Sequence, residues 1–306
     1  MLTPSLHPLK VDIVYVASLH PDHLRDCELA LRAGKHVLVE KPIAMSPEDA
    51  RAIFALGRER GLFVGEGMWT RFFPAVEAAR EVLRSTGEGG LGPCKVSAGP
   101  PQCVPPLPSH PLCLPQVVTA DFCIDGRDVG PYPSDSIYQT SLGGGAVTVL
   151  SPYLLQAAAL AFNGASPDAV AALGMRAGDG SCGELAGGAV LTYSPSVKGL
   201  KGATDGGSGG DGGIAVLVAA FTAETPETAV FACSEGRLTL HAPAHCPTSV
   251  TRQRKAAGRG EGAVTGSTEH FPLPCESEAV IKAGGFIMPN SMGFVYEAAA
   301  VSGTQA

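Results

Sequence analysis

The feature that most limits how this chain can fold is an alternation, between residues 11 and 67, of short apolar runs with helical patterns. The apolar runs are Ile13 to Ala17, Val37 to Val39 and Leu62 to Val64. Uninterrupted apolar runs of this length are typical of parallel strands that helices cover on both faces. Each spacer is long enough for a crossover helix, so the sequence predicts a β-α-β-α-β unit.

Both spacers carry helix signals. In the first, Pro21 suits the opening turn and Gly34 suits the position just after the helix. In the second, Ser46 can cap the N-terminus ahead of Pro47, and Gly61 suits the end. The residues predicted to form the buried face of the second helix are Ile53, Phe54 and Gly57.

Right-handed crossovers make this unit half of a doubly wound sheet, in which ligands bind beyond the carboxyl ends of the strands. A further helical pattern from Pro74 to Arg84 leads out of the unit. We therefore predict a partial Rossmann domain over residues 8–72 and a second domain over residues 73–306. The overall class is α/β followed by α+β.

The second domain reads as an open, mostly antiparallel sheet with helices on one face. Its predicted strands are Val117–Phe122, Ala189–Tyr193, Ile214–Thr222, Thr228–Cys233 and Arg237–Leu240. One helix is predicted from Pro152 to Phe162, and another begins near Phe294. Glycine- and proline-rich composition predicts inserted loops near residues 94–116 and 177–213, and the basic run Arg252 to Lys255 is interpreted as a solvated loop.

Composition narrows the function classes. A formal charge of -7 argues against a nucleic-acid partner, and no run reaches the roughly 18 apolar residues of a membrane helix. The first ten residues do not resemble a signal or transit peptide, which favours the cytoplasm, although an organellar address stays open if residues precede Met1. Nine scattered cysteines without a C-x-x-C pair favour reduced thiols inside a cell. No metal site is predicted, because the one suggestive cluster (Cys94, Cys103, His110 and Cys113) has no zinc-module spacing.

Three groups of polar or aromatic residues follow the three predicted parallel strands. The first spans Ser18 to His23; taken alone it favours a helix N-cap followed by a proline, with a His-x-x-His zinc site as a second alternative. The second is Glu40-Lys41-Pro42, where a partly desolvated lysine suits proton transfer, but a surface Glu40–Lys41 ion pair is an open alternative. The third contains Trp69 and Arg71, which could flank a nicotinamide or form an interdomain packing cluster.

These groups stand in a specific context. The chain reads VDIVYVASLHPDH from residue 11, AGKHVLVEKP from residue 33, MSPEDAR from residue 45 and GLFVGEGMWTRFFPAV from residue 61. Further motifs are VVTADF at 117–122, LGGGA at 142–146, GRLTL at 236–240, HCPT at 245–248 and GFVYEA at 293–298. Together they resemble the Gfo/Idh/MocA oxidoreductases, and within them the branch of dimeric dihydrodiol dehydrogenases and NADP-dependent D-xylose dehydrogenases.

The resemblance implies an enzyme that passes a hydride from a secondary alcohol of a sugar or trans-dihydrodiol to NADP or NAD. It makes Lys41 the lysine that positions the hydroxyl and Tyr153 the acid/base, with the nearby lysine expected to lower the pKa of Tyr153. The residues that it places at the cofactor are Ser18, His20, Pro21, His23, Glu40, Lys41, Trp69 and Arg71. Trp69 and Phe122 are the residues that it places at the substrate, and the predicted partner is a second copy bound through the C-terminal sheet.

Two departures from the family pattern matter. Val149 and Ser151 stand where the family has an aspartate and a glycine, which puts substrate orientation in doubt. No G-x-G-x-x-G follows an N-terminal strand, so the chain is expected to be a truncated form at both ends that binds NADP(H) weakly. The alternative function is a non-catalytic relative that serves as a binding or dimerisation module.

Overall fold

The computed structural model describes residues 11–84, 116–132, 134–176, 182–194, 212–233, 236–254, 266–274 and 290–303. Its first sheet has three parallel strands in the order β1-β2-β3. The elements of this unit are β1 (Ile13–Val16), α1 (His23–Arg32), β2 (His36–Glu40), α2 (Pro47–Arg60) and β3 (Val64–Gly67). The predicted β-α-β-α-β unit is therefore confirmed.

The helix ends follow the predicted signals. The Ser46 side chain accepts a hydrogen bond from the Asp49 N–H at the start of α2, and Gly61 closes the helix in the left-handed conformation at φ 64°. Gly57 lets α2 lie against β3, since a Cβ there would come within 2.5 Å of a Val64 methyl carbon. The central strand β2 is the best buried, and Val37 and Val39 are fully enclosed.

The expectation of strands covered on both faces is only partly right. Tyr15 of β1 is 48% exposed, and Phe63 just before β3 is 38% exposed. Phe54, which was predicted to lie on the buried face of α2, is 37% exposed. Ile53 and Gly57 are buried as predicted, and Leu56 takes the place of Phe54 because it lies on the same side of α2 as those two residues.

The second sheet has eight strands in the order β11-β10-β9-β8-β4-β7-β6-β5. Only the β4–β7 pair is parallel, so the prediction of a mostly antiparallel sheet is confirmed. Its strands are β4 (Val117–Cys123), β5 (Ala169–Arg176), β6 (Glu184–Tyr193), β7 (Gly213–Ala220), β8 (Ala229–Cys233), β9 (Gly236–Leu240), β10 (Ser249–Arg254) and β11 (Gly266–His270).

Helices cover one face of this sheet. They are α3 (Pro74–Arg84) and α4 (Ala146–Ala161). A further helix, α5 (Phe294–Gly303), packs against residues 69–72. The inner face of the sheet packs against α4 through residues such as Val118, Leu191 and Leu217. The opposite face of the central strands stays open in the described part of the chain. None of the helices in that part is both long and apolar enough to cross a bilayer.

Several sequence predictions in this region were wrong. The helix α4 begins at Ala146 and contains Pro152, whereas Pro152 was predicted to open it. Proline is so common in the first turn of a helix that an interior proline is easily taken for the start of the helix. Arg252 and Arg254 lie on β10 between two partner strands and not in a loop. The predicted strand Ala189–Tyr193 is confirmed as the second half of β6, but β6 begins at Glu184, inside the segment predicted as a loop, because the glycines there pair with β5.

Some predictions concern residues outside the described part. They are the loop at 94–115 with its cysteine and histidine cluster, and the glycine-rich segments at 177–181 and 195–211.

Candidate active site

The two residues predicted to be catalytic lie together although they are far apart in the sequence. The Lys41 ammonium, at the carboxyl end of β2, donates a hydrogen bond of 2.9 Å to the backbone carbonyl of Val149 on α4. It also lies 4.6 Å from the centre of the Tyr153 ring, one turn further along the same helix. Burial lowers the pKa of Lys41 to about 8, although the carboxylates of Glu40 and Glu66 oppose this shift.

Tyr153 behaves differently from the expectation. Burial raises the pKa of its phenol far above the usual range, and the charge of Glu40 adds to the increase. The Trp69 indole opposes the increase more weakly, so the pKa of Tyr153 is raised and not lowered as expected. Tyr153 is therefore a neutral hydrogen-bond donor at physiological pH, and Lys41 is the group that can exchange a proton near neutrality.

Carboxylates fix the turn after β2. Glu40 accepts hydrogen bonds from the Tyr15 hydroxyl and, at 3.0 Å, from the backbone N–H of Lys41. Glu66 accepts a hydrogen bond from the Ile43 N–H at 3.0 Å. The described residues show no Glu40–Lys41 ion pair, since each side chain has another partner. The surface ion pair considered as an alternative is therefore not formed.

The first group of residues joins two loops. His23 is completely buried, with its ring nitrogens 3.0 Å from the Pro42 carbonyl and 3.1 Å from the Ser18 carbonyl. It thereby ties the turn after β1 to the turn that carries Lys41. The helix-cap interpretation does not hold, because a short 3-10 helix (His20–Asp22) precedes α1 and neither N-cap side chain makes a capping hydrogen bond.

His20 and Pro21 lie at the open end of β1. Pro21 is exposed, and the His20 ring is half-buried with Nδ1 at 3.1 Å from the Gly143 carbonyl. Burial lowers the pKa of His20. Gly143 has a left-handed φ of 75°, and a Cβ there would lie 2.6 Å from the His20 ring nitrogen. This close approach explains a glycine at the turn before α4.

The third group separates into two sides of a short 3-10 helix (Trp69–Phe72). Trp69 is only 5% exposed; it stacks on Phe294 with ring centres 4.2 Å apart and meets Phe73 edge-on. The packing interpretation is therefore realised, and the buried indole N–H makes no hydrogen bond of normal geometry in the described residues. Arg71 faces the other way and lines a cleft with two further arginines, away from Lys41.

Phe122 and Tyr153 line one pocket together with residues that the sequence analysis missed. His245 stacks on Phe122 with ring centres 4.3 Å apart and tilts against Tyr153 at 5.3 Å. The His245 Nδ1 lies 3.3 Å from a carboxylate oxygen of Glu227. A histidine held between an aromatic ring and a carboxylate can donate or accept a hydrogen bond inside the pocket.

Glu227 reaches His245 because of an unusual turn. The Asp121 carboxylate on β4 accepts hydrogen bonds from the backbone N–H groups of Glu227 at 2.7 Å and Thr228 at 3.4 Å. Glu227 adopts a left-handed φ of 49°, which few non-glycine residues tolerate without such support. The HCPT motif was a usable signal for His245, but nothing in the sequence marks Glu227 as its partner.

The turns at the carboxyl ends of β1 and β2 lie next to each other, since the His23 ring contacts the backbone carbonyls of both Ser18 and Pro42. Leu19 is 51% exposed, and Pro21 near it is exposed as well. The β-α turns of the described residues are not rich in glycine, so they do not form the cradle of backbone N–H groups that holds a pyrophosphate.

A parallel αβ unit with a lysine at a strand end, followed by an open antiparallel sheet, defines a Rossmann-type oxidoreductase. Residues 3–68 match the family described as an oxidoreductase family with an NAD-binding Rossmann fold. The chain is 28% identical over 290 residues to trans-1,2-dihydrobenzene-1,2-diol dehydrogenase of Sus scrofa and 30% identical over 291 residues to that of Danio rerio. Each alignment covers 94% of this chain and 67% of the relative. The chain belongs to the Gfo/Idh/MocA oxidoreductase family.

Solved structures agree with this fold. A 3-ketoreductase from Actinomadura kijaniata, in complex with NADP and TDP-benzene, superposes with a TM-score of 0.57 at 26% identity, covering 86% of this chain and 65% of that one. An NAD-binding oxidoreductase from Klebsiella pneumoniae gives a TM-score of 0.64 at 17% identity, covering 94% of this chain and 69% of that one. The chain spans about two thirds of the length of these relatives.

Proposed function

We propose that the site catalyses NADP-linked oxidation of a secondary alcohol in a sugar or a trans-dihydrodiol. The observation that carries this proposal is the convergence of Lys41 and Tyr153 at the carboxyl end of β2, beside a pocket. The dihydrodiol dehydrogenase relatives and the NADP-bound 3-ketoreductase support the substrate and cofactor classes. We place the boundary between the cofactor and substrate domains near Phe72, as the sequence suggests.

The roles of the residues follow from their proton affinities. Bound NADP would supply the hydride acceptor. Tyr153 keeps its proton at neutral pH, so its phenol donates a hydrogen bond to the reacting oxygen. Lys41, with a pKa of about 8, accepts and releases the hydroxyl proton and is held in place by the Val149 carbonyl. Position 149 thus contributes through its backbone carbonyl, which holds Lys41, and not through its valine side chain.

The aromatic side chains beside Tyr153 border the substrate rather than enclose it, because the cavity that they line has a volume of only about 20 Å³. Phe122 and His245 form one wall, and a Glu227 carboxylate oxygen lies 3.3 Å from the His245 Nδ1. His245 and Glu227 offer hydrogen-bonding groups beside Tyr153, which favours a substrate with a second hydroxyl group, as both a sugar and a diol have. The cofactor side comprises His20, Pro21 and the Lys41 turn, with Ser18 and His23 supporting that turn from behind.

The experiment is an oxidation assay of the 306-residue chain at millimolar NADP+. We expect turnover of trans-dihydrodiols or pentoses to rise about tenfold per pH unit below pH 8 and to level off above it. The sign follows from Lys41, whose neutral form accepts the proton and predominates only above its lowered pKa of about 8. Reduction of the matching ketone should show the opposite slope.

A pH-independent rate between about pH 6 and pH 10 would remove Lys41 from proton transfer. The absence of turnover with every secondary alcohol, in a folded protein that still forms dimers, would favour the alternative of a non-catalytic binding or dimerisation module. The same assay therefore separates the two functions.

We further propose that a second copy covers the outer face of the eight-stranded sheet. This face carries adjacent exposed apolar side chains on β4 to β7, and Leu173 of β5 is 87% exposed. The others on the same face are Val117, Val190, Ile214 and Val218. A contiguous apolar surface of this kind usually marks an interface, and one copy can bury it against another by twofold symmetry.

Introducing a charge on this face tests the dimer. Leu173→Asp is expected to convert a dimer into a monomer in size-exclusion chromatography with light scattering, because the interface would bury an unpaired carboxylate. The matched control is Leu29→Asp on α1, where the leucine is 64% exposed and far from the sheet. A monomeric parent protein, or a dimer that both variants retain, would contradict this arrangement.

A further inference from the structure

Three arginines face one another across a cleft that the proposed reaction does not use. Arg71 comes from the 3-10 helix after β3, and Arg80 and Arg84 come from α3. The carboxyl-terminal part of α4 forms the opposite wall. The other residues that line the cleft are Gln156, Ala159, Leu160, Asn163 and Gly164.

The positive charges in the cleft are only partly balanced. Arg80, with a side chain 15% exposed, pairs with Glu77 and donates to the Arg71 carbonyl at 3.2 Å. Arg84 donates to the neutral Asn163 amide oxygen at 3.0 Å. Arg71 forms no side-chain hydrogen bond or ion pair with any other described residue, and no carboxylate lines the cleft. Glu81, which also lies on α3, is outside the lining as well.

A purely structural explanation accounts for part of this arrangement. The end of α4 carries a partial negative charge of about half a unit, which stabilises nearby cations. Three guanidinium groups exceed that charge, and the repulsion is visible in Arg71, whose pKa is lowered by burial and by Arg80 and Arg84, with Glu77 opposing. An anion in the cleft would relieve the repulsion and give the Arg71 guanidinium a partner.

We propose that this cleft binds the phosphate group of a small phosphorylated molecule. Guanidinium forks match the several oxygens of a phosphate, and three of them converging from two elements can surround a tetrahedral anion better than a planar carboxylate. The Gln156 amide adds an uncharged hydrogen-bonding group to the same cleft.

The cleft is also connected to the candidate active site. Gln156 and Ala159 line a neighbouring depression that reaches Pro42, Glu66 and Pro152, and Gln156 lines the pocket of Tyr153 as well. Leu160, which lines the cleft, lies about 10 Å from Tyr153 along α4, at roughly 1.5 Å per residue. A phosphate on the arginines could therefore belong either to a separate small molecule or to the distal end of a substrate.

The test is a calorimetric titration of the 306-residue protein with inorganic pyrophosphate and inorganic phosphate, without cofactor. We expect saturable binding with one site per chain, weakened at least about tenfold by Arg71→Gln and by Arg84→Gln, since each removes a charge-assisted hydrogen bond. The matched control is Arg51→Gln on α2, an exposed arginine with one acidic partner, which should leave the affinity unchanged. Circular dichroism would verify that each variant is folded.

A second arm compares glucose 6-phosphate with inorganic phosphate. Tighter binding of the sugar phosphate that is lost in Tyr153→Phe would identify the anion as part of a substrate, whereas equal binding would identify a separate site for a phosphorylated molecule. The proposal does not depend on the proposed reaction, because anion binding needs neither Lys41 nor a cofactor. No saturable binding, or equal affinities in the Arg71, Arg84 and Arg51 variants, would overturn it.

Discussion

Lys41→Met is expected to lower the rate of hydride transfer by about 10²–10⁴-fold, the usual contribution of a positioned acid or base. The substitution removes both the hydrogen bond to the Val149 carbonyl and the cation beside the Tyr153 ring. Stability should change by no more than about 1 kcal/mol, because an apolar chain of similar length replaces an ammonium whose burial is unfavourable. The loss should therefore appear in the rate constant and not in the melting temperature.

The matched control is Lys35→Met. Lys35 directly precedes β2 and lies about 20 Å from Lys41 along the strand, at roughly 3.3 Å per residue. The control substitution therefore changes the net charge by the same amount but far from the pocket. Stopped-flow absorbance of NADPH, with calorimetric unfolding in parallel, separates the two effects. A Lys41→Met protein that turns over at the parental rate would show that the lysine only supports the turn.

Phe73→Ala is expected to destabilise the protein by about 3–5 kcal/mol, the range for emptying a large buried aromatic site. Phe73 is completely buried and contacts the rings of Trp69 and Tyr296. A Cβ on Gly293 would come within 2.0 Å of its ring, so α5 packs directly on this side chain. Loss of Phe73 should therefore weaken the packing of Trp69 at the candidate site as well as lower the stability of the fold.

Phe54→Ala is the natural comparison for this substitution. Phe54 is 37% exposed on α2, so the same chemical change should cost less than about 1 kcal/mol. Urea unfolding curves, analysed at constant m-value, measure both. Equal losses would mean that the interior around Trp69 is not packed as described.

The sequence predicted those parts of the fold that depend on local signals. The bounds of α3 were predicted as observed, because proline opens the helix and its apolar residues keep strict helical spacing. The strand β4 was predicted to end at Phe122, one residue before its observed end at Cys123. The meeting of Lys41 with Tyr153 was implied by the family resemblance, and the hydrogen bond to Val149 shows how it is achieved.

Other features depend on tertiary contacts that no local pattern encodes. The strands β10 and β11 are polar at most positions, so their pairing with β9 gives them a structure that their sequence does not suggest. The direction of the Tyr153 pKa shift depends on how deeply α4 is buried. The contact of Glu227 with His245 requires the turn that Asp121 holds, which joins residues more than a hundred positions apart.

Lys41 and Tyr153 should act as one unit on a single hydroxyl group. A double-mutant cycle on single-turnover hydride transfer, with Lys41→Met, Tyr153→Phe and the double variant, measures this coupling. We expect the rate constant of the double variant to lie within about threefold of that of the slower single variant, because removing either residue already disables the shared step. Rate losses that multiply would show that the two residues act independently and would contradict the claim.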